Sequence, residues 1–321
     1  MFQNVGICDI EIWEDYMKNL VKTAMSAALT VMVSTSAFAQ GQSLVFSPFS
    51  LDIPAMKDLS SAIEHFSQEA GISYSSLDPK ADPARQAQQL SQVIETGKVT
   101  GAWALAIRTS ALRGVLQSAM KKRVAMVVSG RPEAYGMNGP QPGIAFSDIN
   151  YSVYGGTLGA ELAKCINEKS GGQAKVLFFG DSAANKAAEL TDKAATTALA
   201  NDAPKTQIVA KTDSRDRAES QQKTAQMLQA NPDATAVYAS NDENALGALK
   251  AFEVAGKKPV CVVAGGGAQE VRDGLKAGRI FAIVGFDFQG DAAQNFKTLQ
   301  TLMQDPALPG PMLEIPVKVT K

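Results

Sequence analysis

Beyond residue 43, apolar runs of strand length alternate with segments whose apolar residues recur every three or four positions. The first unit is a strand over 44–46, then a helix whose Met56, Leu59, Ile63, Phe66 and Ala70 share one face and which Gly71 stops. Asp82 and Pro83 read as N-cap and first residue of a second helix, because a carboxylate satisfies the free amides there and proline has none to satisfy. Its stripe of Ala87, Leu90 and Ile94 ends before Gly97. Strands over 103–107 and 124–128 follow, separated by a helix carrying Leu112, Leu116 and Met120. After a Gly/Pro-rich loop over 130–143, the alternation restarts. Helices are predicted over 155–169, 186–199, 218–230, 245–255, 271–276 and 291–303, and strands over 176–179, 207–210, 236–239, 260–263, 281–284 and 313–319. This order produces parallel sheets with crossover helices. A chain of 321 residues is also long for a single core, so two similar halves are expected. The predicted fold is α/β, with two doubly wound parallel-sheet lobes and a ligand cleft and hinge between them. In such sheets a ligand sits beyond the carboxyl ends of the strands, which makes the residues just after each strand the ones to examine.

The start of the chain does not fit this pattern. Lys18 and Lys22 precede an apolar stretch over 24–33, and Ala37-Phe38-Ala39 supplies the small-x-small pattern of a signal peptidase site, so cleavage is expected before Gln40. The stretch is too short to span a bilayer. Acidic Asp9, Glu11, Glu14 and Asp15 suit no signal n-region, which points to Met17 as the true start. Residues 1–39 are therefore read as an export signal.

Export changes how the cysteines are read. Cys8 leaves with the signal, and oxidising conditions would permit a bridge between Cys165 and Cys261. Cys165 lies on a helical apolar face and Cys261 in a strand-like run, and the two are expected as separate buried thiols. His65 is the only histidine, so no Cys/His cluster suggests a metal, and no cofactor is called for. The net charge of -1 offers no excess of cations to a phosphate backbone, which argues against nucleic acid as a partner.

Three segments after strands carry candidate chemistry. Phe178-Phe179-Gly180-Asp181-Ser182 resembles the nucleophile block of Gly-Asp-Ser hydrolases, but the base in that family is a histidine near the C-terminus, whereas His65 is near the mature N-terminus. The alternative is a strand ending in a turn that caps a helix. Gly265-Gly266-Gly267 lacks the Lys-Ser/Thr pair of a phosphate loop and reads as a tight turn beneath a cleft. In the segment from Val237 to Ala248, an apolar strand ends in Ser240-Asn241-Asp242-Glu243-Asn244, polar residues that can bond hydroxyls while capping the next helix. Here the sequence resembles the ribose/galactose-type periplasmic binding proteins. The likeness runs in order through Ser50-Leu51-Asp52-Ile53-Pro54, Ser129-Gly130-Arg131, Ser147-Asp148 through Asn150, and Asn241-Asp242-Glu243.

The resemblance implies a monomeric binder that captures a carbohydrate, polyol or sugar acid in the periplasm and delivers it to the permease subunits of an ABC transporter. Its chemistry would be binding, not catalysis, with a periplasmic hydrolase or a receptor-coupled signalling protein as rivals. One lobe would comprise 43–149 with 286–311, the other 150–285 with 312–321. Carried over by position, Arg131 and Asn241 would clasp hydroxyls from opposite lobes, and Asp52 would contact the ligand after the first strand. Arg108, Asn150, Arg215 and Asp287 fall near further contact positions, and Trp103 is a candidate for stacking on a sugar face, with Tyr151, Phe286 and Phe49 as other aromatic candidates. Two aspartates of the family pattern are replaced by Gly130 and Gly266, which favours a ligand bearing acceptors of its own. Mature protein should begin at Gln40 or within a residue or two of it; mass spectrometry of the exported protein checks this, and retention of residues 1–39 would refute it.

Overall fold

The structure is a computed structural model and describes residues 41–180, 186–214 and 216–321. The export signal and its cleavage site, Asp181 and Ser182 of the Gly-Asp-Ser block, and Arg215 lie outside the described residues.

The first sheet holds β1 (Ser43–Ser47), β2 (Ser73–Ser76), β3 (Gly101–Ala104), β4 (Ala125–Ser129), β5 (Ile144–Asp148) and β11 (Met312–Glu314). Their order is β11-β5-β4-β3-β1-β2, with every neighbouring pair parallel. The second sheet holds β6 (Lys175–Phe179), β7 (Gln207–Thr212), β8 (Ala236–Ala239), β9 (Cys261–Gly265), β10 (Ala282–Phe286) and β12 (Val317–Thr320). Its order is β12-β10-β9-β8-β6-β7, parallel except where β12 runs against β10. The alternation of the sequence thus becomes two parallel sheets, as expected.

Helices cover both faces of each sheet. In the first lobe, α1 (Pro54–Glu69) and α9 (Phe288–Gln304) bury Ile63, Phe296, Leu299 and Met303 against Leu44, Phe46, Trp103 and Val127. On the opposite face, α2 (Pro83–Glu95) and α3 (Thr109–Lys122) bury Leu90, Ile94, Leu112 and Leu116 against Val45, Ala102 and Met126. Successive strand residues therefore enter different cores, the period of two that a sheet imposes. In the second lobe, α4 (Tyr151–Ser170) and α5 (Lys186–Asp202) cover one face, and α6 (Arg217–Ala230), α7 (Asp242–Val254) and α8 (Gln269–Lys276) the other. Gly155 and Gly159 let α4 lie directly on α5: a Cβ at either would overlap the backbone of Thr191 or Ala195. Burying each large apolar side chain contributes about 1.5–3 kcal/mol, so these four cores hold the lobes together.

Three expectations are corrected. The strand expected over 313–319 is two strands: β11 pairs with β5 in the first sheet, the chain crosses at Ile315 and Pro316, and β12 pairs with β10 in the second. Met312–Glu314 thus belong to the first lobe, while Phe286 still belongs to β10 of the second. Proline cannot donate to a ladder, and here it marks the break. The loop over 130–143 is followed by β5, a strand the reading omitted, as it omitted β2. Finally, Cys165 and Cys261 are bridged, with Cα atoms 5.8 Å apart. The face of α4 that carries Cys165 lies over the sheet where β9 begins, a contact that spacing along the chain does not reveal.

The bridge joins residues 96 apart in sequence, so reducing it frees a long loop in the unfolded chain. Reduction should lower stability by about 2–4 kcal/mol. Thiol titration of the mature native protein should find no free cysteine, and calorimetry with and without reductant should show the loss; two titratable thiols in the native protein would refute the assignment.

Candidate functional site

The chain passes between lobes at three places, after β5, after β10 and after β11, and each is the carboxyl end of a parallel strand. The polar ends of both sheets are therefore brought to one junction. The crossings are tied to one another: Ile315 N donates to Asp148 O at 3.1 Å and Asp287 N to Pro316 O at 2.8 Å. Asn150 Nδ2 donates to Glu314 Oε1 at 2.8 Å, and Gln294 Nε2 to Glu314 O at 2.8 Å. A hinge needs few residues to absorb the rotation, and these short segments supply them.

On the first lobe, Arg131 follows β4 and its Nε donates to Asp148 Oδ2 at 3.1 Å. The carboxylate beside it thus comes from the end of β5, in place of a residue at Gly130. Among the described residues only Nε is engaged, which leaves the other guanidinium N–H groups for a ligand. Arg108 is exposed at the N-cap of α3, and among the described residues its side chain has no hydrogen-bonding or ionic partner. Asp52 is exposed beyond β1, with Lys80 Nζ at 3.8 Å. Phe49 is partly exposed on the same loop.

Trp103 is not at the site. Its indole is 2% exposed in the core between the sheet, α1 and α9, edge-on to Phe46 with ring centroids 5.9 Å apart. The middle of a buried strand cannot present an aromatic face to the cleft, so its stacking role is withdrawn. Asn150 is used twice in the hinge: besides the bond to Glu314, its Oδ1 accepts from Val153 N at 3.1 Å and caps α4. Asp287 similarly caps α9, accepting from Gly290 N at 3.1 Å.

On the second lobe, Asn241 caps α7 through Oδ1, which accepts from Asn244 N at 2.9 Å. Its Nδ2 is left as a donor. Asp242 Oδ1 accepts from Gly267 N at 2.8 Å and Ala268 N at 3.0 Å. Gly266 has a φ of +104°, and a Cβ there would overlap the Asp242 carboxylate. The turn after β9 is thus shaped by a carboxylate from β8's loop, which explains the glycines without a phosphate.

Beside Asn241, sequence reasoning named Tyr151 and Phe286 but passed over Tyr154 and Phe288, and it missed the carboxylate of Asp192. Tyr154 stacks on Phe286 with centroids 4.7 Å apart, and Phe288, mostly exposed, lies 6.0 Å beyond Phe286. Burial, helped by nearby Asp242, pushes the Tyr154 phenol up to about 12, and burial raises that of Tyr151 too, with Asp148 adding to it. Both are hydroxyl donors at neutral pH. Tyr151, Tyr154 and Phe286, with Thr191, Asp192, Ser240 and Asn241, line a pocket of about 220 Å3. The only signal in the sequence was Asp192 standing within the apolar stripe of Ala195 and Leu199.

Two α/β lobes whose strand ends meet at a three-stranded hinge define a two-lobed binding protein of the type I periplasmic kind. The chain belongs to the periplasmic binding protein domain family, whose model matches residues 44–306. It is 28% identical over 272 residues to the ribose import binding protein RbsB of Haemophilus influenzae, covering 84% of this chain and 87% of that one. With the RbsB of Escherichia coli it shares 26% over 273 residues, covering 84% and 86%. The arabinose binding protein AraP of Geobacillus stearothermophilus superposes with a TM-score of 0.67 at 20% identity, covering 87% of this chain and 96% of that one. A solute-binding protein of Actinobacillus succinogenes with bound D-allose gives 0.64 at 18%, covering 87% and 97%.

Behind the hinge, Asp291 in the first turn of α9 accepts from Ser147 Oγ at 3.3 Å and Gln294 Nε2 at 3.0 Å. Burial nevertheless raises its pKa, and nearby Asp287 adds to the rise. A raised carboxylate pKa means the native state holds the proton longer than the unfolded chain, so stability falls as pH rises from the unfolded value of about 3.9 through the native one. Asp291→Asn keeps an acceptor oxygen without the charge. It should raise the melting temperature at neutral pH, with the gain vanishing below about pH 4, and scanning calorimetry across that range checks it.

Proposed function

We propose that this protein is the soluble solute-binding component of an ABC transporter. It captures a sugar or polyol in the periplasm by hinge closure and presents the closed form, as a monomer, to membrane permease subunits. One observation carries the reading: Arg131 and Asn241 offer donors from opposite lobes at the junction where all three crossings leave the sheets. A ligand bonded by both favours the closed form through its contacts with each lobe. The relatives' functions, ribose import and binding of arabinose and D-allose, support a sugar as ligand. His65 sits on α1 of the first lobe, 3.4 Å from Glu69, whereas the Gly-Asp-Ser block follows β6 in the second lobe. Binding without turnover is therefore favoured over hydrolysis.

The replaced aspartates lead to the expectation of a ligand bearing a carboxylate or another strong acceptor. The pairing of Arg131 with Asp148 weakens that expectation, since a cation already neutralised needs no anion. We favour a neutral polyhydroxyl compound, with Arg108 as a rim charge.

A thermal-shift screen of pentoses, hexoses, polyols and sugar acids should identify a stabilising ligand, because binding to the native state alone raises the melting temperature. Calorimetry with that ligand should then show losses of about ten- to hundred-fold for Arg131→Ala and for Asn241→Ser, the latter retaining the cap while removing Nδ2. Wild-type affinity in both variants would refute the site.

A further inference from the structure

We infer that Asp192, a residue of α5 and not of any strand-end loop, is a specificity-determining residue of the second lobe that accepts hydrogen bonds from two neighbouring ligand hydroxyls. This rests on the proposed sugar-binding function and names the part of the ligand that the pocket beside Asn241 reads.

The carboxylate is at the right place for a ligand. A Cβ on Gly180, the residue after β6, would overlap the Asp192 carboxylate, so the glycine is what admits it over the carboxyl end of that strand. Ligands of doubly wound sheets lie at such ends. Asp192 is 2% exposed, yet it lines the 220 Å3 pocket together with Tyr151, Tyr154, Thr191, Asn241 and Phe286. Burial of a carboxylate is costly without compensation, and here Lys211 Nζ stands 3.3 Å from Oδ2 while lying 4.9 Å from the centroid of the Phe178 ring. Lys211 therefore pairs with the carboxylate and fixes it in place, and a charge-assisted acceptor of this kind bonds hydroxyls strongly.

The rest of the pocket has the complementary character. Tyr154 and Phe286 form a stacked apolar wall suited to the C–H face of a sugar ring, while Asn241 Nδ2 and the Tyr151 hydroxyl donate. Behind it the Tyr238 hydroxyl, on β8, is buried with no hydrogen-bond partner among the described residues, and burial, with Asp192 and Tyr154, helps to hold its proton on. A pocket with an apolar wall, one fixed carboxylate and a few donors orients a ring by its hydroxyls. A hydroxyl pair on one ring edge would give both protons to Asp192.

The test uses the ligand from the thermal-shift screen and its series of singly deoxygenated analogues, titrated by calorimetry. Wild type should lose about ten- to hundred-fold in affinity for the analogue lacking a hydroxyl read by Asp192. In Asp192→Asn, parent and analogue should converge, a change of pattern that a loss of fold would not produce. Ala187→Leu, which fills the pocket without touching the charge pair, should abolish binding and covers the case in which Asp192→Asn does not fold. If both variants bind the series as wild type does while Arg131→Ala is impaired, the pocket assignment is overturned and the binding function stands. If wild type binds no polyhydroxyl compound, both fall together.

Discussion

The chain's three passages between sheets, each leaving the carboxyl end of a parallel strand, are the constraint on which the cleft depends. Parallel strands must be joined by crossovers, so within each lobe all strands but β12 point the same way and the polar loops after them emerge on one edge. Placing the crossings on that edge turns two separate sets of loops toward a common space. Had β10 handed the chain back from its other end, α9 could still have covered the first sheet, but Arg131 and Asn241 would not share a junction. The antiparallel β12 obeys the same rule: it begins at the carboxyl end of β10 because it enters from the hinge.

The strand ends carry a second, local demand that shapes their chemistry. Most are followed by a helix whose first amides need acceptors, and Asn150, Asn241 and Asp287 all meet that need with one side-chain oxygen. A cap uses one end of a carboxamide and leaves the other, so the same residue can fix a helix and face a ligand. Asn150 loses the second possibility because Glu314 takes its Nδ2, whereas Asn241 keeps it. Capping and binding are therefore not rival explanations for such residues. What separates them is whether another part of the chain claims the remaining atoms.

Much of the fold was legible because sheet and helix impose periods of two and 3.6 on residues that must be buried. The alternation across Ala102 and Trp103, and the helical stripe of Leu112 and Leu116, follow from burial alone. What was not legible arises from contacts distant in sequence. β2 escaped notice since it is polar and lies at the sheet's edge, and the break at Ile315-Pro316 was hidden inside one apparent run. Trp103 was misjudged because a strand ending near the cleft does not say which of its residues reaches it. The Cys165–Cys261 bridge depends on where α4 crosses the sheet. Asp192 combines both difficulties, a charged side chain on a helix that becomes buried only because Gly180 and Lys211, on two other elements, make room and supply charge.

The electrostatics of the cleft bear on the kind of ligand that closure can enclose. Lys80 stands near Asp52, Arg131 bonds Asp148, Lys211 pairs with Asp192 and Lys223 with Asp213, so each of these four cations has a carboxylate within the same lobe, while Arg108 stays exposed at the rim. When lobes close, water is withdrawn from these groups, and an isolated ion would then carry a penalty of several kcal/mol. Paired ions avoid most of that penalty while keeping N–H groups and lone pairs directed into the cleft. An anionic ligand would have to compete with the resident carboxylates for their partners. A neutral ring with several hydroxyls does not, since each hydroxyl can donate to a carboxylate and accept from a guanidinium or amide without disturbing the pair. The internal pairing of charge thus supports closure on a neutral polyhydroxyl ligand and leaves discrimination to the geometry of its hydroxyls.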